Sequence, residues 1–487
     1  MGFQTRAITK ALGLVLAIIG ISMVPSLLVT LIYHEYANIS AFFAPICILL
    51  LIGVVVIIRY RNDPHPTLRI RDGYLIASLS WIFASVAGSL PYLISGSITE
   101  FYNAFFESVS GFTTTGATIL TDIESLDKGI LFWRSFTQWI GGMGIIVLAV
   151  ALLPALGIGG QTIAKAETPG PTLDKLTPRI SDTAKKLYKL YLLFTAIETL
   201  FLMLGGLNLY DALTTTLSSI STGGFSPYAD SIAHFNSLYV EMIVIIFMLM
   251  GGTSFNLYYM AAIHGPKPFI KDAEFKTYIS IITTATLLIG FDVWWQGANS
   301  LGVSFRQAIF QTSSIMTSSG FMSADYNMWP SLSKLIILLL MVVGGCSAST
   351  SGGLKVIRAL IAVKLIRRGF TLRLHPRAVV AIKINNTSLQ SEKVTGIVNF
   401  IFLYIFTMVL GNIIISFDGY DLVTNFSATL ASLSNIGPGM NLAGPASNFH
   451  FFSPVSKLTL SFLMLAGRLE LFSIFMLFSP QFWNNDR

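Results

Sequence analysis

The chain has 487 residues, of which 53% are apolar and 11% are charged, and its mean hydropathy is +0.69. Soluble proteins carry about 25% charged residues, so this composition excludes a soluble globular protein and indicates that a bilayer solvates much of the surface. The formal net charge of +7 would suit nucleic-acid binding in a soluble domain, but its meaning depends on where the charges lie. The two cysteines, Cys47 and Cys346, exclude a disulfide framework and a cysteine-based metal centre.

Ten apolar windows recur along the chain, and each is long enough to cross about 30 Å of hydrocarbon. The first is too long for a signal peptide and lacks a small-residue cleavage site, so we expect a retained helix. The windows cover residues 11–33, 40–58, 74–97, 130–155, 187–207, 237–262, 277–297, 333–366, 394–416 and 455–482. The sequence therefore predicts an all-α polytopic membrane protein with ten transmembrane helices.

Lysine and arginine residues concentrate in alternate loops, which the positive-inside rule assigns to the cytoplasm. These basic parts are the N-terminus, residues 59–72, 162–189, 264–276 and 355–393, and the C-terminus. The intervening loops carry more Asp and Glu than Lys and Arg. We therefore expect a multi-pass protein with both termini in the cytoplasm. Because the basic excess is a topology signal, no nucleic-acid partner is expected.

Four semi-apolar segments between the windows align with one another without gaps, at residues 101–117, 209–225, 305–321 and 422–438. One column of this alignment is glycine in all four segments: Gly116, Gly224, Gly320 and Gly437. Internal repetition of this kind is a strong signal of organisation. It predicts two N-terminal helices with a cytoplasmic loop at residues 1–72, followed by four repeats. The repeats cover residues 73–185, 186–270, 271–392 and 393–487.

The first twelve residues of such a segment, 101–112, would span about 18 Å as a helix, which is half a bilayer. The residues that follow are β-branched or small and end in glycine, a composition that suits an extended run with one residue at positive φ. Non-helical backbone at membrane depth must be buried in protein or line a water-filled path. Four such segments favour a carbonyl-lined ion selectivity filter around a central pore, and the alternative is four re-entrant loops that pack a transporter core.

With these four loops, four helix–loop–helix units and two extra N-terminal helices, the chain resembles the TrkH branch of the Trk/Ktr/HKT superfamily of potassium transporters. The resemblance covers nearly the whole chain. Further motifs that carry it are residues 113–118, 141–144, 344–353, 375–377 and 467–470.

The resemblance implies potassium uptake across the bacterial cytoplasmic (inner) membrane through a channel-like pore, with rubidium or sodium as further candidate ions. It also implies a homodimer in contact with membrane lipid, a cytosolic nucleotide-binding ring as regulatory partner, and no cofactor bound by this chain. In the superfamily, glycine at all four filter positions is associated with potassium selectivity and serine at the first with sodium permeation. Gly116 therefore implies selectivity for potassium.

The expected potassium ligands are backbone carbonyl groups, because a dehydrated ion needs oxygen atoms in place of its lost water. The fourth segment differs most from the others, so we expect weaker discrimination against sodium than in a true homotetramer. The filter residues are Thr113, Thr114, Thr115, Gly116, Ser221, Thr222, Gly223, Gly224, Thr317, Ser318, Ser319, Gly320, Ser434, Asn435, Ile436 and Gly437.

The eighth window contains a run of small and polar residues that cannot form a stable lipid-facing helix. The run consists of Gly344, Gly345, Cys346, Ser347, Ala348, Ser349, Thr350, Ser351, Gly352 and Gly353. It must therefore face protein or water. It is interpreted as a mobile constriction under the filter, and the resemblance implies the same gating loop; the alternative is a fixed kink or a tight-packing site.

Arg468 lies inside the last window, where a charge is costly and by default indicates function. The resemblance places it against the gating loop. The alternative is a structural ion pair with Glu470, Glu198 or Glu107, although residues two apart on a helix do not face each other. Glu107 is expected to anchor its loop through hydrogen bonds, and Glu198 is interpreted as structural.

Three classes of function compete. A potassium symporter coupled to protons or sodium would need titratable groups along the path, for which Glu107, Glu198 and Glu470 are the candidates. A membrane enzyme would need clustered Asp, Glu or His, whereas the six histidines are scattered and no catalytic motif is found, so we expect no enzyme. The basic segment around His375 either contacts anionic lipid or receives the cytosolic partner.

Overall fold

The computed structural model describes residues 3–60, 69–144, 180–297, 299–385 and 387–484. Within these ranges the chain is helical apart from loops and one short antiparallel hairpin of Lys383–Ile384 with Thr387–Ser388. Two N-terminal membrane-length elements come first and pack on each other. They are formed by the helices Thr5–Ser22, Val24–Ile32 and Ile39–Arg59.

Four units of outer helix, half-helix and inner helix follow. The outer helices are Ile70–Ile94, Ile180–Leu204, Ala273–Trp295 and Ser391–Ile415. The half-helices are Phe101–Phe112, Leu209–Ile220, Leu301–Met316 and Leu422–Leu433. The inner helices are Lys128–Gly142, Leu238–Gly251, Ser331–Val343 and Pro454–Arg468. The remaining α-helices of the described residues are Phe255–His264, Lys267–Lys271, Val356–Leu374, Phe472–Phe475 and Pro480–Trp483.

The half-helices occupy the centre of the molecule, where their serine and threonine side chains are buried; Ser108, Thr214 and Ser432 are fully inaccessible. Small polar side chains allow close helix packing, and Thr214 bonds the carbonyl of Tyr210 in its own helix at 2.9 Å. The third half-helix begins at Leu301, four residues before its aligned segment.

The outward surface carries large apolar side chains: Leu51, Leu204 and Trp295 are 67%, 70% and 74% exposed. Such a surface requires hydrocarbon as its solvent. Six helices are long and apolar enough to cross a membrane, and two bent helix pairs raise the number to eight among the described residues. The structure therefore confirms the predicted all-α polytopic membrane fold.

Several predicted windows are not single straight helices. Window 237–262 bends by 90° between Leu238–Gly251 and Phe255–His264, and the last window bends by 114° after Arg468. The eighth window consists of Ser331–Val343 and Val356–Leu374 with a loop between them. The fourth window begins in Lys128–Gly142, and its part from residue 145 onward lies outside the described residues.

The inner helices end where their glycines meet the half-helices. A Cβ atom at Gly251 would lie 2.9 Å from the carbonyl oxygen of Ile220, and a Cβ at Gly467 would collide with that of Leu433. These close contacts place the ends of the inner helices beside the C-terminal ends of the half-helices, and so locate the site described below.

Candidate ion pathway

Each half-helix runs into a four-residue central segment: residues 113–116, 221–224, 317–320 and 434–437. The glycine that closes each segment has a positive φ, of 83°, 78°, 78° and 99° in chain order. The second residue of each segment is also left-handed: Thr114, Thr222 and Ser318 have φ of 56° and Asn435 has 53°. The sequence indicated only the glycine, because threonine and serine rarely adopt this conformation.

Helix capping explains the second left-handed position. In the first segment, the N–H of Thr114 bonds the carbonyl of Gly111 at 3.0 Å, and the N–H of Thr115 bonds that of Ser110 at 2.9 Å. This pair of bonds is a Schellman cap, in which the C′ residue is left-handed. The same two bonds recur in the other three segments, made by Thr222 with Gly223, Ser318 with Ser319, and Asn435 with Ile436.

The four central segments close into a ring. A Cβ atom at Gly116 would collide with the carbonyl oxygen of Gly223 in the second segment. A Cβ atom at Gly224 would likewise collide with the carbonyl oxygen of Ser319, and a Cβ atom at Gly320 with that of Ile436. In the fourth segment, a Cβ at Gly437 would lie 2.6 Å from the carbonyl oxygen of Thr115, which returns the ring to the first segment. Each glycine thus lies against the third carbonyl of the next segment.

Glycine is required at these positions for two independent reasons. The left-handed backbone costs roughly 1–2 kcal/mol for a residue with a side chain. The neighbouring carbonyl also leaves no space for a Cβ atom, as at Gly116 and Gly320. A repeat of one glycine per segment is therefore the sequence signature of a closed ring of backbone.

Cavities lie on both sides of the ring. One cavity, called the outer cavity, has a volume of about 120 Å³ and lies on the side of the loops that follow the central segments. It is lined by all four ring glycines together with Thr118, Arg134 and Tyr228. A second cavity of about 120 Å³ lies on the side of the inner-helix ends and is lined by Trp81, Asn435, Gly352, Lys355 and Arg468. The ring separates two spaces, as a pore constriction would.

A buried ion pair braces the outer side of the ring. Arg134 Nε donates to Glu107 Oε1 at 2.9 Å, and the two side chains are 1% and 0% exposed. Glu107 also accepts from the backbone N–H of Ile119 at 3.0 Å, and Arg134 donates to the carbonyl of Ser226 at 3.2 Å. Arg134 lies near the start of window 130–155, where the sequence did not indicate a role for it. In the structure it is buried, and it joins the loops after the first two central segments.

Residues 344–353, the glycine-serine loop, lie directly against three central segments. The N–H of Gly352 donates to Ser318 Oγ at 2.6 Å, and Thr222 Oγ1 donates to Thr350 Oγ1 at 3.2 Å. A Cβ atom at Gly352 would collide with the carbonyl oxygen of Ser434. The loop thus occupies the inner side of the ring.

Arg468 holds the loop to the first repeat. Its Nη1 donates to the carbonyl of Thr350 at 2.7 Å, and its Nη2 donates to the carbonyls of Gly141 and Gly142 at 2.5 and 2.8 Å. A cation is favoured at these carbonyls because they form the C-terminal end of an inner helix.

The three carboxylates proposed as ion-pair partners of Arg468 are Glu107, Glu198 and Glu470, and two of them pair with other arginines. Glu107 pairs with Arg134, and Glu470 pairs with Arg358 at 2.5 Å. Glu198 is fully buried, and its two oxygens have no hydrogen-bond partner among the described residues.

Two more cations lie beside the loop. Lys355 and Arg358 are 3% and 5% exposed, although the sequence interpretation assigned both to the cytoplasmic basic segment. Lys355 has a φ of 76° and bonds the carbonyl of Ser351, and Arg358 lies 3.9 Å from the ring centroid of Phe400. Periodicity alone could not locate them, because Lys355 directly precedes the helix Val356–Leu374 and Arg358 lies in its first turn.

Glu274 is a further residue that the sequence interpretation missed. Its Oε1 accepts the N–H of Ser347 at 2.7 Å and the N–H of Ile357 at 3.1 Å, so one carboxylate ties the glycine-serine loop to the first turn of the helix Val356–Leu374. The adjacent Asp272 and Ala273 are bonded by Asn385 of the hairpin turn. In the sequence, Glu274 is an acidic residue in the basic loop 264–276, and such a residue does not indicate a specific role.

Residues 375–377 are exposed and follow the helix Val356–Leu374. Among the described residues, no group of three or more His, Cys, Asp or Glu could hold a metal ion. A ring of backbone carbonyls does not need such a group.

Comparisons with known proteins agree with this architecture. A family model described as TrkH, cation transport protein, matches residues 38–486. The chain is 39% identical to the Trk system potassium uptake protein TrkH of Vibrio parahaemolyticus, over 99% of this chain and 100% of that protein. It is 38% identical to the TrkH protein of Escherichia coli, over 98% and 99% of the two chains.

A solved structure is similar to the whole molecule. The crystal structure of the potassium transporter TrkH from Vibrio parahaemolyticus matches with a TM-score of 0.89 at 37% identity, covering 99% of this chain and 100% of that one. Family, sequence and fold therefore agree along the chain, and the protein belongs to the TrkH family of cation transport proteins.

Proposed function

We propose that this chain takes up potassium as the membrane component of a Trk system, through a pore along the axis of the central segments. The observation that carries the proposal is the closed ring, in which each glycine lies against the third carbonyl of the next segment. Backbone carbonyls replace the water of a dehydrating potassium ion, and the buried ring residues supply them without a charged side chain. The relatives are named as potassium uptake proteins, which supports potassium as the ion.

The glycine-serine loop and Arg468 form the gate in this proposal. The loop lies against the inner side of the ring, and the guanidinium group fixes Thr350 to the end of the first inner helix. Opening would require the loop to leave Ser318 and Thr222, which needs the Arg468 bond to Thr350 to break. Buried Lys355 would oppose a cation in the same space until the loop moves.

The wider assembly is also proposed. The four repeats serve as the structural units, two copies of the chain form a homodimer in the bacterial inner membrane, and both termini face the cytoplasm. A cytosolic nucleotide-binding ring docks on the basic side, where residues 375–377 are exposed. This chain binds no cofactor of its own, and it acts as a transporter without enzymatic activity.

The test is potassium or rubidium flux into proteoliposomes under an imposed voltage, with and without a pH gradient. Flux that follows only the electrochemical gradient of potassium supports the pore. If no monovalent cation flux is measured with folded protein, the proposal is wrong.

Symport with protons or sodium is the second candidate, and one observation favours it. Glu198 is a fully buried carboxylate without a hydrogen-bond partner among the described residues, the kind of group that a coupling ion would need. If the pH gradient drives uptake in wild-type protein and fails to do so in Glu198→Gln, symport replaces the channel-like pore.

A further inference from the structure

The third residues of the central segments are not equivalent. Thr115 Oγ1 lies 2.8 Å from Thr113 Oγ1, and Ser319 Oγ lies 2.8 Å from Thr317 Oγ1, so each side chain braces its own segment. Ile436 is fully buried and packs instead. The second segment has Gly223 at this position, so it has no side chain with which to brace itself.

The side chain of Gln138 fills the space beside Gly223. A Cβ atom built on Gly223 would lie 2.9 Å from Gln138 Cβ and would collide with its amide group. Gln138 Nε2 donates to the carbonyl of Gly223 at 2.7 Å, and its Oε1 accepts the N–H of Phe225 at 3.0 Å. This fully buried amide therefore binds the backbone on both sides of Gly224, at Gly223 within the second segment and at Phe225 directly after it.

A comparison of the inner helices sets Gln138 apart. Gly141, Gly251 and Gly467 each lie against the carbonyl of the last residue of the half-helix in their own repeat, which aligns three inner helices. The residues three positions earlier are Gln138, Met248 and Met464. Of these three aligned helices, the first alone has glutamine at this position, and it lies beside the segment without a third side chain.

We propose that Gln138 is a positioning residue for ion selectivity, which supplies from the first repeat the brace that the second segment lacks. The inference rests on the proposed role of the central segments as the filter. Two consecutive glycines, Gly223 and Gly224, have the greatest backbone freedom of the ring, and a carbonyl with a fixed donor is held in one position. Gln138 thereby keeps the third carbonyl of the second segment at the spacing that its three equivalents have.

The test measures the ratio of potassium to sodium permeability in proteoliposomes for Gln138→Ala and Gln138→Met. Both variants should lower the ratio by roughly two- to tenfold, the factor that corresponds to the net contribution of one hydrogen bond. Gln138→Met keeps the residue that two other inner helices carry, so it covers the case in which the alanine variant fails to fold. Gln296→Ala, at an exposed glutamine, is the control and should leave the ratio unchanged.

A rescue variant separates positioning from packing. The rescue is built on Gln138→Gly, because a Cβ atom at residue 138 would still lie 2.9 Å from a Cβ atom at residue 223. In Gln138→Gly with Gly223→Ser, the new side chain has space beside residue 138 and its hydroxyl group can bond Ser221 Oγ, as Ser319 bonds Thr317. The reference for this double variant is Gln138→Gly alone. Gly223 is not left-handed, so serine fits its backbone. The double variant should recover part of the lost selectivity, and failure to recover any would overturn the brace.

The inference and the filter fail in distinguishable ways. A wild-type ratio in both Gln138 variants, with a lowered ratio in Gly116→Ser, refutes the role of Gln138 and leaves the filter standing. A wild-type ratio in Gly116→Ser itself refutes the filter, and the inference falls with it.

Discussion

Arg468→Ala should raise potassium flux in the absence of any activating partner. The wild-type side chain donates to the carbonyls of Gly141, Gly142 and Thr350, and the bond to Thr350, at 2.7 Å, joins it to the glycine-serine loop. A hydrogen bond from a charged group contributes about 1.5–3 kcal/mol net. Its loss should shift the closed-to-open equilibrium by about ten- to a hundredfold, since 1.4 kcal/mol is a factor of ten.

The assay is rubidium uptake into proteoliposomes at matched protein content, together with the ratio of potassium to sodium permeability. Flux should rise and the ratio should stay constant, because Arg468 does not belong to the ring. Arg306→Ala is the matched control, since this partly exposed arginine pairs with Glu241 away from the loop. Wild-type basal flux in folded Arg468→Ala protein would refute the gate.

The remaining predictions concern the ring, its brace and the other anchor of the loop. Gly116→Ser should lower the ratio of potassium to sodium permeability several-fold, because its Cβ collides with the Gly223 carbonyl and its backbone is left-handed; an unchanged ratio contradicts the ring assignment. Glu107→Ala leaves buried Arg134 uncompensated and should destabilise the protein by about 3–5 kcal/mol, seen as a lower thermal midpoint in detergent. The exposed Glu124→Ala serves as its control, and equal midpoints would show the pair to be dispensable. Glu274→Ala frees Ser347 of the glycine-serine loop from the helix that follows the loop and should raise basal flux at constant selectivity; flux at the wild-type level would exclude this anchor.

The sequence predicted the repeated architecture because the steric requirement for glycine in each segment leaves one glycine at the same position of every repeat. It did not predict the second left-handed residue, because Thr114, Thr222 and Ser318 stand where helix caps usually have glycine. Here the two cap bonds hold a conformation that the residue type disfavours.

Other parts of the site depend on contacts between repeats. Arg134 lies near the start of window 130–155, and Lys355 lies where window 333–366 overlaps the basic segment 355–393, so hydropathy cannot distinguish a loop cation from a buried one at either position. Gln138 and Glu274 carry no motif, and their roles are defined by residues 85 and 73 positions away in the chain. Such pairings depend on how the repeats close into a ring, and the periodicity of hydropathy along the chain carries no information about that closure.

The Schellman caps have a consequence for the sign of the charge that the ring accepts. In every central segment, the N–H groups of the second and third residues point back to the half-helix and bond its last carbonyls. These donors are therefore occupied within the protein. The carbonyls of the same residues keep accepting capacity, including that of Gly223, which has a second lone pair beside its bond from Gln138. A ring built in this way offers a passing ion acceptors with few competing donors, so anions find no solvation there. The capped C-terminal ends of the four half-helices would then favour cations over anions. This discrimination would not depend on ion size and would need no acidic side chain.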